Sequence, residues 1–327
     1  MDHPTPVQHT PASDDLLSEI LTPLRLQGVF VSHWQMSGAW GVYGEREPCA
    51  LIHYMLRGEA TIDLGPAGRT TLHAGDLALF PLGEPHAIGA PHCLTPLPLH
   101  AALPDRSVGG VSTLRLGPAT PDADAEMLCV GLHYETEGIL PLYELLPDLL
   151  TLRRAHIQQD PLLHALLQNL TQEAIARQEG RGLILLRGFE LVYLAGLRHS
   201  LKNAPASSPI NQLTHHAGLS RALIAIYREY AQRWNVTSLA ERAGMSRSSF
   251  CAKFRALLGE SPGRHLMRRR VMEARRLLLT TTLTHDEIAD AVGYESAVGL
   301  YLAFRSVLNV TPGEVRSAPR ALDASSA

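Results

Sequence analysis

Residues 236–259 read VTSLAERAGMSRSSFCAKFRALLG, and the spacing of their apolar positions decides the fold of the C-terminal part of the chain. Leu239, Ala240 and Ala243 give a first helix a narrow apolar face. Gly244 stands where the chain must reverse, a position that often requires φ > 0. Ser246 is suited to cap a second helix. Phe250, Phe254 and Leu257 then fall on one side at i, i+4 and i+7 and point inward. The outward side holds Ser248, Ala252 and Arg255, flanked by Ser249 and Cys251, with Arg247 and Lys253 at its margins. Small polar groups rimmed by arginine suit the major groove of a duplex.

Residues 283–312, LTHDEIADAVGYESAVGLYLAFRSVLNVTP, echo that unit. Thr284 and Glu287 form a capping box at the helix start. Ile288, Ala289 and Val292 make the inner face, Gly293 the turn, and Leu300, Phe304 and Val307 the inward stripe of the second helix. Between the echoes, residues 261–279, SPGRHLMRRRVMEARRLLL, predict a helix of about 18 residues starting near Pro262, a favoured first-turn position. At ~1.5 Å per residue it spans roughly 27 Å, close to the ~34 Å that separates successive major grooves on one face of DNA.

Charge separates the chain in the same way. Residues 1–209 hold 13 Lys and Arg against 22 Asp and Glu, a net −9, whereas residues 210–327 hold 16 against 10, a net +6. A basic C-terminal part marks a candidate polyanion-binding domain. Within it, residues 235–282 are +7 and residues 283–316 are −3. Phosphate neutralisation dominates affinity for DNA. The first unit and the joining helix are therefore expected to supply most of the attraction, with Arg264, Arg268, Arg269 and Arg270 as positioning cations beside Lys253.

The remainder belongs to an ordinary globular protein of 327 residues, long enough for two domains. From about Leu26 to Glu135 short apolar runs alternate with Gly and Pro turns, the texture of an antiparallel barrel or sandwich. Residues 141–202 change to helical spacing, with Leu162, Leu163, Leu166, Leu167 and Leu170 on one stripe and a second run from Leu183 to Leu201. The segment KNAPASSPIN then reads as a linker. Four scattered cysteines, Cys49, Cys93, Cys129 and Cys251, exclude a disulfide scaffold or zinc ribbon and fit a reducing compartment. The opening MDHPTPVQHTPASDD lacks the basic and apolar regions of a secretion signal. The most apolar stretch, GLILLRGFELVYLAGLRHSL, is broken by Arg187, Glu190 and Arg198. A membrane span is not expected, and the cytoplasm is the expected location.

The residues from Leu213 to Arg316 resemble the DNA-binding domain of the AraC/XylS family of bacterial transcription regulators. LAERAGMSRSSFCAKFR, SPGRHLMRRRVMEARRLL, EIADAVGYES and AFRSVLNVTPGEVR carry the likeness. It implies a seven-helix domain that binds double-stranded DNA as a tandem pair of helix-turn-helix units. The N-terminal half resembles the cupin-type sensor domain of many such regulators, through GVFVSHWQMSGAWGV, IHYMLRGEATIDL and AGDLALFPLGEPHAI. The fold class expected is α+β: a tail at 1–15, a cupin-like antiparallel β-barrel at 16–140, a helical connector and dimerisation segment at 141–204, an all-α domain with two helix-turn-helix units at 205–316, and a tail at 317–327. Homodimers, RNA polymerase as a further partner, and an activating role are expected.

The second recognition helix departs from the family pattern. The family usually follows the Gly-Tyr turn with a polar surface ending in a basic residue, but here Ala297, Val298, Gly299, Tyr301 and Leu302 stand at those positions. Glu295, Ser296 and Arg305 remain polar, so apolar contact with thymine methyls, or with a protein through the Val298–Leu302 face, are the options left to it.

In the sensor half, Gly75-x5-Pro81-x-Gly83-x2-His86 matches the second cupin motif and aims His86 at the interior. Catalytic cupins also need a His-x-His pair and a Glu to hold a metal, and upstream of IHYMLRGEATIDL there is no such pair. A non-enzyme without a cofactor is therefore expected, with a metal-dependent cupin enzyme as the alternative. The candidate sensor residues are His53, His86, Trp34, Trp40, Cys49 and Cys93, with His33 beside them and Tyr43 and Tyr54 as further aromatic lining. His53 and His86 are the pair that a zinc or copper ion would use. An oxidant is the other effector class: His92 beside Cys93 would favour a thiolate if protonated, and Cys251 would carry oxidation directly onto the DNA-facing helix.

Overall fold

The computed structural model describes residues 26–47, 49–91, 95–103, 111–118, 123–134, 146–176 and 178–317. The chain divides into two compact units between Pro205 and Ala206. The two tails, Cys93 and all of 135–145 lie outside the described residues.

The first unit is built from two sheets. Strands β1 (Leu26–Met36), β3 (Cys49–Arg57), β6 (Leu77–Phe80), β9 (Val111–Leu116), β10 (Ala125–Tyr134) and β11 (Leu150–Leu152) form a six-stranded sheet in the order β11-β6-β3-β10-β1-β9. Strands β2 (Gly41–Gly44), β4 (Glu59–Asp63), β5 (Arg69–His73), β7 (His86–Gly89) and β8 (Leu97–Pro98) form a five-stranded sheet in the order β5-β4-β7-β2-β8. The expected closed antiparallel barrel is corrected on two counts. Among the described residues each sheet ends in edge strands with no ladder to the other sheet. Two of the pairings, β1 with β9 and β2 with β8, are parallel. Closure requires a continuous ring of paired strands; here side chains, not hydrogen bonds, join the sheets.

Phe30, Trp34, Met36, Leu51, Met55 and Met127 from the first sheet meet Val42, Ile62, Leu72 and Ile88 from the second in one buried cluster. The opposite face of the six-stranded sheet is covered by helices, so β3, CALIHYMLR, reads as a nearly continuous apolar run and not as alternation. These helices are α2 (Arg154–Gln159), α3 (Pro161–Ile175) and α4 (Arg181–Lys202), which follow a short α1 (Leu99–Ala102). Gly196 permits the close approach of α4: a Cβ there would stand 2.5 Å from Leu79 Cδ1. The helical stripe on α3 holds in part, with Leu163, Leu167 and Leu170 buried while Leu162 faces outward.

Among the described residues the second unit is all helical: α5 (Pro209–His215), α6 (Ala217–Arg228), α7 (Val236–Ala243), α8 (Arg247–Leu258), α9 (Pro262–Thr280), α10 (His285–Ala291), α11 (Ala297–Leu308) and α12 (Pro312–Ser317). That is one helix more than the family resemblance implies, the extra one being the short α5. The two hairpins α7–α8 and α10–α11 fold as their residues dictate. Asn235 with Ser238 and Thr284 with Glu287 form capping boxes at the first helices. Gly244 ends α7 at φ +68°. Gly293 turns at φ +86°, where a Cβ would stand 2.4 Å from the Ala231 carbonyl oxygen. Helix α9 joins both hairpins into one body. His265 near its start packs edge-on to Phe254, and Val271, Ala274 and Leu278 further along join Leu300 and Phe304 in a second core.

Candidate nucleic-acid interface and buried histidine pair

Helix α8 is held by its apolar side and presents its polar one. Phe250 and Phe254 are fully buried, and the Ser246 hydroxyl accepts the Ser249 N–H at 3.3 Å to start the helix. Arg247, Ser248, Ala252, Lys253 and Arg255 are exposed, with Ser249 and Cys251 half-buried at the edges. Lys253 Nζ donates to His216 Nε2 at 3.1 Å, which leaves the amine on the surface. Arg264, in the first turn of α9, is also exposed and only 3.8 Å from the Glu260 carboxylate. The first unit therefore gathers Arg247, Lys253, Arg255 and Arg264 as surface cations around a face of small side chains.

The three consecutive arginines of α9 are placed differently from the sequence expectation. Arg269 is buried, 6% exposed. Its Nη1 donates to Glu273 at 3.1 Å, and its guanidinium lies 4.3 Å from the centre of the Tyr230 ring. Arg268 donates to Glu260 at 3.1 Å, and the same carboxylate oxygen faces His265 Nδ1 at 2.8 Å. Arg270 donates to the carbonyls of Tyr230 and Gln232 at 2.7 and 2.6 Å and stacks near Tyr294. These guanidiniums fasten α9 to Glu260, just before its cap, and to the chain segment after α6. The reason is helical geometry: consecutive residues point about 100° apart, so three arginines in a row cannot all face one phosphate rail.

Helix α11 repeats α8 in frame. Ser296 accepts the Gly299 N–H at 3.3 Å as Ser246 accepts Ser249, Leu300 and Phe304 are buried as Phe250 and Phe254 are, and Asn309 closes the helix in the left-handed region as Gly259 does. Val298 thus takes the place of Ser248, Tyr301 that of Cys251, Leu302 that of Ala252, and Arg305 that of Arg255. Val298, Tyr301 and Leu302 are 67%, 45% and 62% exposed.

In the first unit, His53 and His86 meet inside the sheets. Their Nε2 atoms lie 2.8 Å apart, His86 Nδ1 lies 2.8 Å from the Glu84 carbonyl, and His53 Nδ1 lies 2.8 Å from Cys129 Sγ. Phe80 stacks on His86 with ring centres 3.8 Å apart. Burial holds His86 down at about 4, and burial with the neighbouring His86 holds His53 well below the usual histidine value. Burial also pushes the Cys129 thiol well up and the Cys49 thiol up to about 12. Both described cysteines of this unit are therefore thiols and not thiolates, which removes the nucleophilic form that oxidants attack.

Beside the pair lies a small apolar cavity of about 30 Å³, lined by Phe30, Trp34, Val42, Leu51, Ile88 and Leu103 among others, with His53, His86 and Cys129 in its wall. Trp34 Nε1 is buried without a hydrogen-bond partner among the described residues. The other sequence candidates are dispersed. Trp40 is in the core but does not line this cavity. His33 points to the opposite face of β1 and meets Glu126 at 3.2 Å. Cys49 lies by Glu47 at 3.7 Å, and Cys93 lies outside the described residues. The donor set does not fit a cupin metal. The two nitrogens of His53 diverge, one toward His86 and one toward Cys129, so no single point lies at the ~2.0–2.3 Å that zinc requires from all three. Among the described residues no group of three or more His, Cys, Asp and Glu side chains is disposed to hold an ion.

Comparison with known proteins places both units. Residues 15–202 match the family described as Cupin, and residues 239–318 match the family described as Helix-turn-helix domain. The HTH-type transcriptional regulator AlkR of Acinetobacter baylyi is 27% identical over 92% of this chain and 99% of its own. This chain is an AraC-family transcriptional regulator. Its cupin domain comes first and its DNA-binding helix-turn-helix domain second. The RCS-specific HTH-type transcriptional activator RclR of Escherichia coli is 29% identical to the regulator over 50% of this chain and 60% of its own. The DNA-binding domain of AdpA, solved in complex with a target DNA, is 36% identical over 33% of this chain and 96% of that one, with a TM-score of 0.31. No helix among the described residues is long and apolar enough to cross a membrane.

Sequence reasoning misses Cys129 as the partner of His53. The alternation AEMLCVGLHY carries part of the signal, since it sets Met127 and Cys129 on one face of β10. The register that puts Cys129 opposite His53 belongs to the pairing of two distant strands.

Proposed function

We propose that this regulator is a cytoplasmic, homodimeric activator of transcription that works with RNA polymerase, and whose cupin domain binds a small apolar effector and catalyses no reaction. The observation that carries the effector reading is the apolar cavity with one buried, unpartnered donor, Trp34 Nε1, in its lining. A ligand that widens this cavity and accepts that single hydrogen bond would remove the cost of an unsatisfied buried group. An oxidant is the less favoured effector, since Cys49 and Cys129 are held as thiols. The alternative of a metal-dependent enzyme is disfavoured by the divergence of His53. RclR, a relative over half the chain, is named an activator, which supports the activating role.

On DNA, Arg247, Ser248, Cys251, Ala252 and Arg255 face base edges or adjoining phosphates, while Ser249, Lys253 and Arg264 position the helix. Ser296 and Arg305 take the corresponding places in the second unit. Exposed apolar side chains on α3 and α4, including Ile175, Leu183, Ile184 and Leu191, suit a second copy of the chain. The test is a footprint of the purified protein on the DNA flanking its own gene, with small apolar compounds or an oxidant added. A change in protection on adding a compound, abolished in Trp34→Phe, supports the reading; protection that no addition alters contradicts the sensor role.

A further inference from the structure

We infer that α11 selects the operator by packing Val298, Tyr301 and Leu302 against thymine methyl groups, adding base selectivity and almost no attraction to phosphate. The inference rests on the second hairpin entering the duplex as the first does, and it names what that helix reads.

The frame shared by α8 and α11 fixes which side chains face outward. Both helices start on a serine that accepts the third residue's N–H, both bury the same two positions, and both end in the left-handed region. On α8 the matching positions are Ser248, Cys251 and Ala252, small side chains of which the serine donates and accepts hydrogen bonds. On α11 they are Val298, Tyr301 and Leu302, at i, i+3 and i+4 on one face.

An exposed apolar triad of that kind needs an occupant. Continuity with the DNA-binding hairpin, to which α11 is tied through α9 and a common core, makes that occupant the same duplex. The segment Ala297–Leu308 contains no carboxylate to repel phosphates. Its one cation, Arg305, stands at the far end of the helix with Nη1 reaching toward the Asn309 carbonyl at 3.5 Å. The five carboxylates of residues 283–316 lie outside that helix: Asp286, Glu287 and Asp290 on α10, with Glu287 turned back on Thr284 in its capping box, Glu295 just before the cap of α11, and Glu314 on α12. The thymine 5-methyl is the one apolar group on the major-groove edges of the bases. Val298 and Leu302 offer nothing to the donors and acceptors of the other bases, and the Tyr301 ring adds apolar surface beside its hydroxyl, so Val298 and Leu302 select A·T pairs with thymine oriented toward the helix.

The experiment takes the full-length protein and a duplex selected by it from a random library at low salt. The half-site of the second unit is located by footprinting, and its thymines are replaced by deoxyuridine, which removes only the methyl group. The expected result is a loss of about fourfold in affinity for each methyl that is buried, with the slope of log affinity against log salt unchanged. The V298A/L302A variant should bind the thymine duplex as weakly as the wild type binds the uracil duplex, and should not distinguish the two. Because both positions are exposed, its melting temperature should match the wild type. Equal binding of both duplexes by the wild type would overturn the inference. So would a variant that binds DNA normally but no longer activates transcription, which would assign the triad to a protein partner. If deoxyuridine in the first half-site and Arg255→Ala still weaken binding while the second half-site is indifferent, DNA binding through α8 stands and the reading of α11 alone fails.

Discussion

His53 and His86 face each other through their Nε2 atoms at 2.8 Å, and the proton between them belongs to His53. The Glu84 carbonyl can only accept, so His86 Nδ1 carries a hydrogen and, in the neutral ring, its Nε2 carries none. His53 Nε2 therefore donates, its Nδ1 accepts, and Cys129 supplies the S–H that completes the chain. Every member of this buried chain is neutral, which is the state in which burial costs least.

Acid should break it. The His86 ring is held at about 4 in the folded protein against an ordinary 6.5, so the unfolded chain binds more protons than the folded one between those values. Stability is full above about pH 6.5 and falls as pH drops toward 4, by about 3 kcal/mol from His86 alone. His53 shifts in the same direction. Thermal unfolding followed from pH 7.5 to 4.5 should show the cupin domain melting progressively earlier. The H53Q/H86Q variant should be less stable at neutral pH and markedly flatter in its pH dependence.

Arg269 is predicted to be a fold residue. Truncation to alanine leaves Glu273 held by Arg276 and removes the stack on Tyr230. Losing the charge-assisted hydrogen bond and the buried stack together costs about 2–3 kcal/mol. Urea unfolding should show that destabilisation, while the salt slope of DNA binding, measured where the variant is still folded, should stay as in the wild type.

Two glycines in left-handed turns should respond differently to alanine. At Gly259 the backbone sits at φ +71° with open space around it, and at Gly293 it sits at φ +86° with the Ala231 oxygen 2.4 Å from the new Cβ. Gly259→Ala should cost about 1 kcal/mol of conformational strain. Gly293→Ala should cost clearly more, because the carbonyl of a neighbouring segment must move. Denaturant midpoints of the two variants provide the comparison.

If the exposed face of α4 joins two copies, an aspartate in place of Ile184 or Leu191 should give a monomer. The stability of the cupin domain itself should change by no more than about 0.5 kcal/mol, the scale of a surface substitution. Sedimentation velocity reads the first outcome and urea unfolding the second.

The helical unit is legible in its residues because its signals are local. Gly244, Ser246 and Thr284 act within a turn or two of themselves, and the inward spacing of Phe250 and Phe254 has no other solution. The arginines of α9 are legible as charge but not as direction. Tyr230, which stacks on Arg269 and whose carbonyl accepts from Arg270, comes from a segment far back in the chain. The sheets are legible as short strands, yet the parallel pairing of β1 with β9 and the lack of closure depend on distant partners that turn signals do not encode. The buried histidine pair is half legible: His86 follows a recognisable turn, whereas its approach to His53 arises from packing between the sheets and the link from His53 to Cys129 from the pairing of two distant strands.

In the proposed complex with DNA, cations at the surface of α8 and the start of α9 grip the phosphates, while the arginines within α9, paired inside the domain, serve the fold. Affinity for the selected duplex, measured from about 50 to about 300 mM salt for the wild type, Arg255→Ala, Arg264→Ala and Arg269→Met, tests this directly. The predicted result is a salt slope shallower by about 0.9 for each phosphate that the first two variants no longer neutralise, and a wild-type slope for the third. A slope reduced as much by Arg269→Met as by Arg255→Ala, or no binding to any duplex at the lowest salt, would contradict it.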